Sequence, residues 1–113
     1  MKNDKLESRI IVLSINTSMH DKLIVGLRMD GKEVIVEEEF DYRKSQGVLP
    51  LIEKVLLQQK VTLFDLTGIE VNTGPGSYTG LRVGVAITNT LGTMLKIPIN
   101  NQRIGQLVEP IYQ

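Results

Sequence analysis

The chain has 113 residues and neither cysteine nor tryptophan. Without thiols there is no disulfide, no thiolate nucleophile and no cysteine-ligated zinc. Histidine is nearly absent too, with only His20, in a polar turn. A serine nucleophile needs a base beside it, and one loop histidine assembles neither a triad nor a metal set. No catalytic residue and no metal site are therefore assigned, and peptidase chemistry is not expected. An excess of charge is also missing: 13 Lys and Arg balance 13 Asp and Glu. That is not the electrostatic footprint of a nucleic-acid binder, although it leaves room for a partner of something that binds RNA. There is no signal peptide and no apolar run of membrane-spanning length, so a cytoplasmic protein without membrane contact is expected.

What remains is ordinary for one globular domain, with 42% apolar and 23% charged residues. Residues 1–113 read as a single unit whose first eight residues, polar and charged, form a flexible terminus. Zero net charge gives little colloidal repulsion and mildly favours association.

The β-branched run Arg9 to Ile15 predicts a central strand buried on both faces. Asn16-Thr17-Ser18 ends it. Lys22 to Met29 alternates, Asp30-Gly31 is a hairpin turn, and Glu33 to Phe40 returns with an acidic outer face. Gln46 to Lys60 carries a helical pattern that starts near Val48, because Pro50 must lie in the first turn. After the connector Leu63–Leu66, Gly68 to Asn72 predicts a fourth strand parallel to the first. A second helix runs from a Ser77 or Thr79 cap to about Leu95, and Pro98 stops it. Pro98 to Asn101 predicts a fifth strand, and Arg103 to Val108 one more helical turn. The expected fold is α/β, with a mixed five-stranded sheet and two main helices.

The most informative stretch opens that second helix: Gly74-Pro75-Gly76-Ser77-Tyr78-Thr79-Gly80-Leu81-Arg82-Val83-Gly84. Gly74-Pro75-Gly76 is open to two readings. It could cradle a phosphate at a helix N-terminus, or be a type II turn with Gly76 at positive φ. The spacing matches neither the dinucleotide fingerprint nor a P-loop. Farther along, Gly84, Thr88 and Gly92 form a small-residue column inside an arc of Leu81, Val83, Val85, Ile87, Leu91, Met94 and Leu95. Arg82, Ala86, Asn89 and Thr93 make the polar stripe opposite. A helix apolar over more than half its circumference needs more than one neighbour. Either the first helix uses the surplus, or another chain covers it. The second alternative predicts a partner interface of Leu49, Ile52, Leu56, Leu81, Arg82, Val85, Thr88, Asn89 and Gly92. Arg82 either meets an acidic partner group or solvates the helix. Glu37-Glu38-Glu39 alternates across a strand and reads as a solvated edge rather than a metal site.

The element order resembles a ribonuclease-H-like lobe of the actin, sugar-kinase and heat-shock ATPase group. Ile11-Val12-Leu13-Ser14-Ile15-Asn16-Thr17-Ser18, Leu49-Pro50-Leu51-Ile52 and the Gly74–Gly84 motif are similar to the corresponding motifs of the TsaB (YeaZ) family. The resemblance spans about residues 9 to 105 and marks Gly74, Pro75, Gly76, Ser77, Thr79, Gly80 and Gly84 as the family's glycine motif. It implies a non-catalytic subunit of the machinery that makes threonylcarbamoyladenosine in tRNA. Such a subunit binds the catalytic TsaD subunit through a helix bundle, with the TsaE ATPase joining the pair. It also implies a homodimer in isolation, tRNA met only indirectly, and no cofactor on this chain, ATP and Mg being used by the partners. Two departures stand out. Asn16 replaces the family's strand-end Asp, and an amide cannot supply that charge to a metal-bound phosphate. The family's second lobe is also expected to be absent. Lys44, after Tyr42 and Arg43, stands where relatives often carry histidine. The alternatives are an actin-like nucleotide-binding or ATP-hydrolysing protein using Asn16, Thr17 and Gly76, and a homodimer with no TsaD contact.

Overall fold

A computed structural model describes residues 9–39 and 47–111. Met1–Ser8, the end of the third strand at Phe40, Tyr42–Lys44 and the helix start at Gln46 lie outside the described residues. Strands β1 (Ile11–Asn16), β2 (Lys22–Met29) and β3 (Lys32–Glu39) form an antiparallel meander. Helix α1 (Val48–Gln58) crosses to β4 (Gly68–Val71), which pairs parallel with β1, and helix α2 (Tyr78–Leu95) follows. The sheet order is β3-β2-β1-β4.

Both helices lie on one face of this sheet. Register places Leu13 beside Leu27 and Ile69, and Ile15 beside Val25 and Val71, so one face collects the apolar side chains. Val48, Leu51, Ile52, Val55 and Leu56 of α1 and Val85 and Leu91 of α2 close the core over them. An ion pair from Lys54 of α1 to Glu38 of β3, at 3.5 Å, spans the same side. Among the described residues the opposite face has no such cover. On β1, Val12, Ser14 and Asn16 are only half-buried, which corrects the expected two-sided burial of that strand. There Arg28 reaches over β1 to Glu70, at 3.0 Å. The hydrogen bond to Glu70, then its charge, raise the Arg28 pKa above the ordinary guanidinium value.

The first turn of α1 accommodates Pro50, whose missing N–H has no helical acceptor to lose there. The Ser77 hydroxyl accepts from the Gly80 N–H at 3.2 Å and caps α2. Lys96, in the left-handed conformation, ends that helix two residues before Pro98.

The fifth strand shrinks to a single parallel bridge between Ile69 and Ile99. Pro98 has no N–H to give, and Asn100 and Asn101 both take positive φ, turning the chain off the edge. The Asn100 side chain completes the edge instead. Its Oδ1 accepts from the Val71 N–H at 2.8 Å, and its Nδ2 donates to the Val71 carbonyl at 3.2 Å. The helical turn expected at Arg103–Val108 is a tight turn with Gly105 at φ 94°, followed by a run without regular secondary structure to Ile111.

Candidate functional site

The glycine motif is built around the end of β1. Asn16 Oδ1 accepts from both the backbone N–H (3.0 Å) and the hydroxyl (2.7 Å) of Ser18, closing the turn after β1. The Ser77 N–H then donates to the Ser18 carbonyl at 2.7 Å. Three glycines let the segments meet. A Cβ at Gly76 would collide with the Ser18 backbone, one at Gly80 with the Thr17 carbonyl, and one at Gly84 with the Thr17 hydroxyl. The turn itself departs from the type II expectation. Positive φ falls on Gly74, at 107°, and the Gly74–Pro75 peptide is cis, while Asn72 Oδ1 accepts from the Gly74 N–H at 2.8 Å.

Of the nucleotide candidates, this packing encloses Thr17, while Asn16 stays half-buried and Gly76 exposed. Thr17 is fully buried, Gly76 faces Ser18, and the Asn16 carbonyl oxygen is already engaged twice. Pro75 and Thr79 sit exposed at the rim, while Ser77 and Gly80 are buried.

Most residues of the expected docking surface are enclosed as well. Ile52, Leu56, Leu81, Val85, Thr88 and Gly92 all lie inside the chain. Gly84 receives Thr17, and a Cβ at Gly92 would lie 2.6 Å from Ile99 Cδ1. The small-residue column thus serves close approach within one molecule. Asn89 is half-buried and bonded to the Val108 backbone. Leu49 and Arg82 stay exposed, with the Arg82 guanidinium 5.6 Å over the Tyr78 ring.

The outer surface of the same two helices carries something the sequence pattern left unassigned. Leu49 of α1 and Ala86, Ile87, Thr90, Leu91 and Met94 of α2 line an open groove of about 370 Å³. Leu49 is 51% and Met94 68% exposed. Ala86, Thr90 and Met94 stand at four-residue spacing, so one row of α2 faces outward along the groove. The signal was present in the helical projection, where Met94 and Ile87 border Ala86. Counting Ala86 as polar and centring on the glycines hid it.

The acidic run on β3 behaves as a strand edge, with Glu38 reaching Lys54 and Glu37 lying 3.8 Å from Lys22. Among the described residues no group of three or more His, Cys, Asp or Glu could hold a metal ion. No helix there is long and apolar enough to cross a membrane.

Residues 35–101 match the family model described as tRNA N6-adenosine threonylcarbamoyltransferase. The chain is 36% identical over 91 residues to the tRNA threonylcarbamoyladenosine biosynthesis protein TsaB of Buchnera aphidicola subsp. Schizaphis graminum, covering 79% of this chain and 42% of that protein. Bacillus subtilis TsaB is 33% identical, covering 89% and 49% respectively. The structure of YeaZ from Pseudomonas aeruginosa superposes with a TM-score of 0.75 at 26% identity, over 80% of this chain and 42% of that one. This chain therefore spans less than half the length of these relatives. Its α/β architecture is the ribonuclease-H-like lobe they contain. Matched by the transferase model over more than half its residues and aligned with TsaB and YeaZ along most of its length, the chain belongs to the TsaB (YeaZ) family.

Proposed function

We propose that this chain acts in the cytoplasm, in tRNA threonylcarbamoyladenosine biosynthesis, as a non-catalytic subunit that docks on the threonylcarbamoyltransferase. The observation that supports this is the open apolar groove between Leu49 and Met94. Large exposed apolar side chains lining a concavity on two helices suit an intermolecular helix bundle, in which a partner helix supplies the missing layer. A standard interface buries about 1,600 Å² in total, and a groove of this kind would form its desolvated centre. Arg82, held over Tyr78 at the edge, would meet an acidic partner group. The TsaE ATPase and ATP with Mg enter through the complex, and tRNA is met only through the transferase.

The test is reconstitution of tRNA threonylcarbamoylation with the catalytic subunit, with and without this chain. Stimulation that depends on this chain, lost in Met94→Glu, is the expected result. Equal rates with and without it would overturn the proposal. Calorimetry with ATP and Mg addresses the nucleotide-binding alternative, for which micromolar binding by this chain alone would count. Co-purification with the catalytic subunit separates the proposal from a homodimer that never contacts it.

A further inference from the structure

After the Ile69–Ile99 bridge the chain runs back along α2 toward the glycine turn. Residues 101–107 are all exposed, with Ile104 and Leu107 projecting into solvent. Val108 alone dips inward, 8% exposed, and joins the core cluster that includes Val85 and Leu91. Among the described residues, three hydrogen bonds tie this far half to the rest of the molecule. The Val108 N–H donates to Asn89 Oδ1 at 3.0 Å, and Asn89 Nδ2 donates to the Val108 carbonyl at 3.0 Å. The Ile111 N–H donates to the Thr73 carbonyl at 2.7 Å, and the Ile111 carbonyl lies 2.7 Å from where a Cβ on Gly74 would be. One side chain thus supplies two of the three bonds, from the flank of α2 that carries Val85 one turn earlier.

We infer that residues 102–111 are a detachable strap, latched by Asn89, that opens locally while the sheet stays folded and in opening bares the Val108 seat on α2. The argument is one of anchoring density. A segment held by one buried apolar residue, half-buried Pro110, the Gln102 N–H on the Ile99 carbonyl at its root and the three bonds farther along loses little when it leaves. The strands of β1 and β2, paired over six residues, can open only with the core. The two ends of the latch are also linked. Asn89 pins Val108, and three residues later Ile111 pins the backbone beside Gly74, so releasing Asn89 frees the side of the glycine turn as well. With the strap down, Val108 covers its seat in the core; with the strap up, that seat meets solvent.

Amide hydrogen exchange on the chain itself, followed by NMR, tests this. The Val108 and Ile111 amides should exchange about tenfold or more slower than Leu107, yet about a hundredfold or more faster than the amides of β1 and β2. Their exchange should change little with low urea, as for an opening that exposes little surface. In Asn89→Ala both amides should fall to the Leu107 level while β1 and β2 keep their protection. Asn89→Asp, which keeps the acceptor for the Val108 N–H but loses the donor, should fall between. Exchange of Val108 and Ile111 in step with β1 and β2, with the urea slope of global unfolding, would overturn the inference from the unmutated chain alone. So would Ile111 protection that survives in a folded Asn89→Ala.

Discussion

The two sides of α2 look alike in sequence and differ in what they meet. One side carries the column Gly80, Gly84, Thr88 and Gly92; the other carries Ala86, Thr90 and Met94 with Ile87 and Leu91 beneath. The first is filled from within, by Thr17 against Gly80 and Gly84 and by Ile99 against Gly92. The second is left open, with Leu49 across the groove. Glycine spacing announces that a backbone comes close without saying whose backbone it is. An exposed Met beside Leu on two helices is the better mark of a surface awaiting cover, since neither gains from water.

Substitutions on the two sides should therefore fail differently. The largest effect is expected from Gly84→Leu. Its side chain must displace the buried Thr17, and overpacking of this kind costs about 3 kcal/mol or more, beyond the roughly 1 kcal/mol of helix propensity that leaving glycine returns. Thermal melting by circular dichroism should show a chain largely unfolded or with a Tm many degrees lower. A well-folded Gly84→Leu chain that merely stops associating would instead return the glycine column to the role of docking face.

Next comes Met94→Glu on the open side. A charge at the centre of a desolvated groove should weaken binding to the catalytic subunit by about 2 kcal/mol or more, roughly thirtyfold, while stability moves by about 0.5 kcal/mol or less. Light scattering and melting on the same sample read both quantities, and coupled losses would erase the contrast between the sides. Smaller again is Ser77→Ala, which removes the cap from Gly80 N–H and should cost about 1 kcal/mol in a urea melt without touching the groove. The smallest effect is expected far from α2. Arg28→Gln breaks a solvent-exposed pair with Glu70 on the uncovered sheet face and should leave Tm unchanged within error at moderate salt.

Much of the fold could be read from local pattern. The meander, the Asp30-Gly31 turn, the parallel fourth strand and the second helix, ending at Leu95, all follow from period-two alternation, turn residues and caps. The fifth strand could not. A short apolar run after Pro98 looks extended, but two left-handed asparagines end the pairing after one bridge. The two-sided burial of β1 failed for a related reason. Continuous apolar character permits cover on both faces, yet both helices pack on the same one. Of the candidate interface, Leu49 and Arg82 stayed at the surface. In sequence Asn89 belongs to the polar stripe and to the expected interface, and its two-bond clamp on a backbone nineteen residues away leaves no trace in helical spacing.

Alone, the amino-acid order decided the place of the four paired strands and two main helices and which family they spell, because caps, turns and periodicity act over a few neighbouring residues. Only the tertiary structure decided which flank of α2 is filled from within, which meets Val108 and which is bare. That outcome depends on where Thr17, Ile99 and Val108 come to rest, and contacts between segments far apart in the chain are settled by packing the whole core at once.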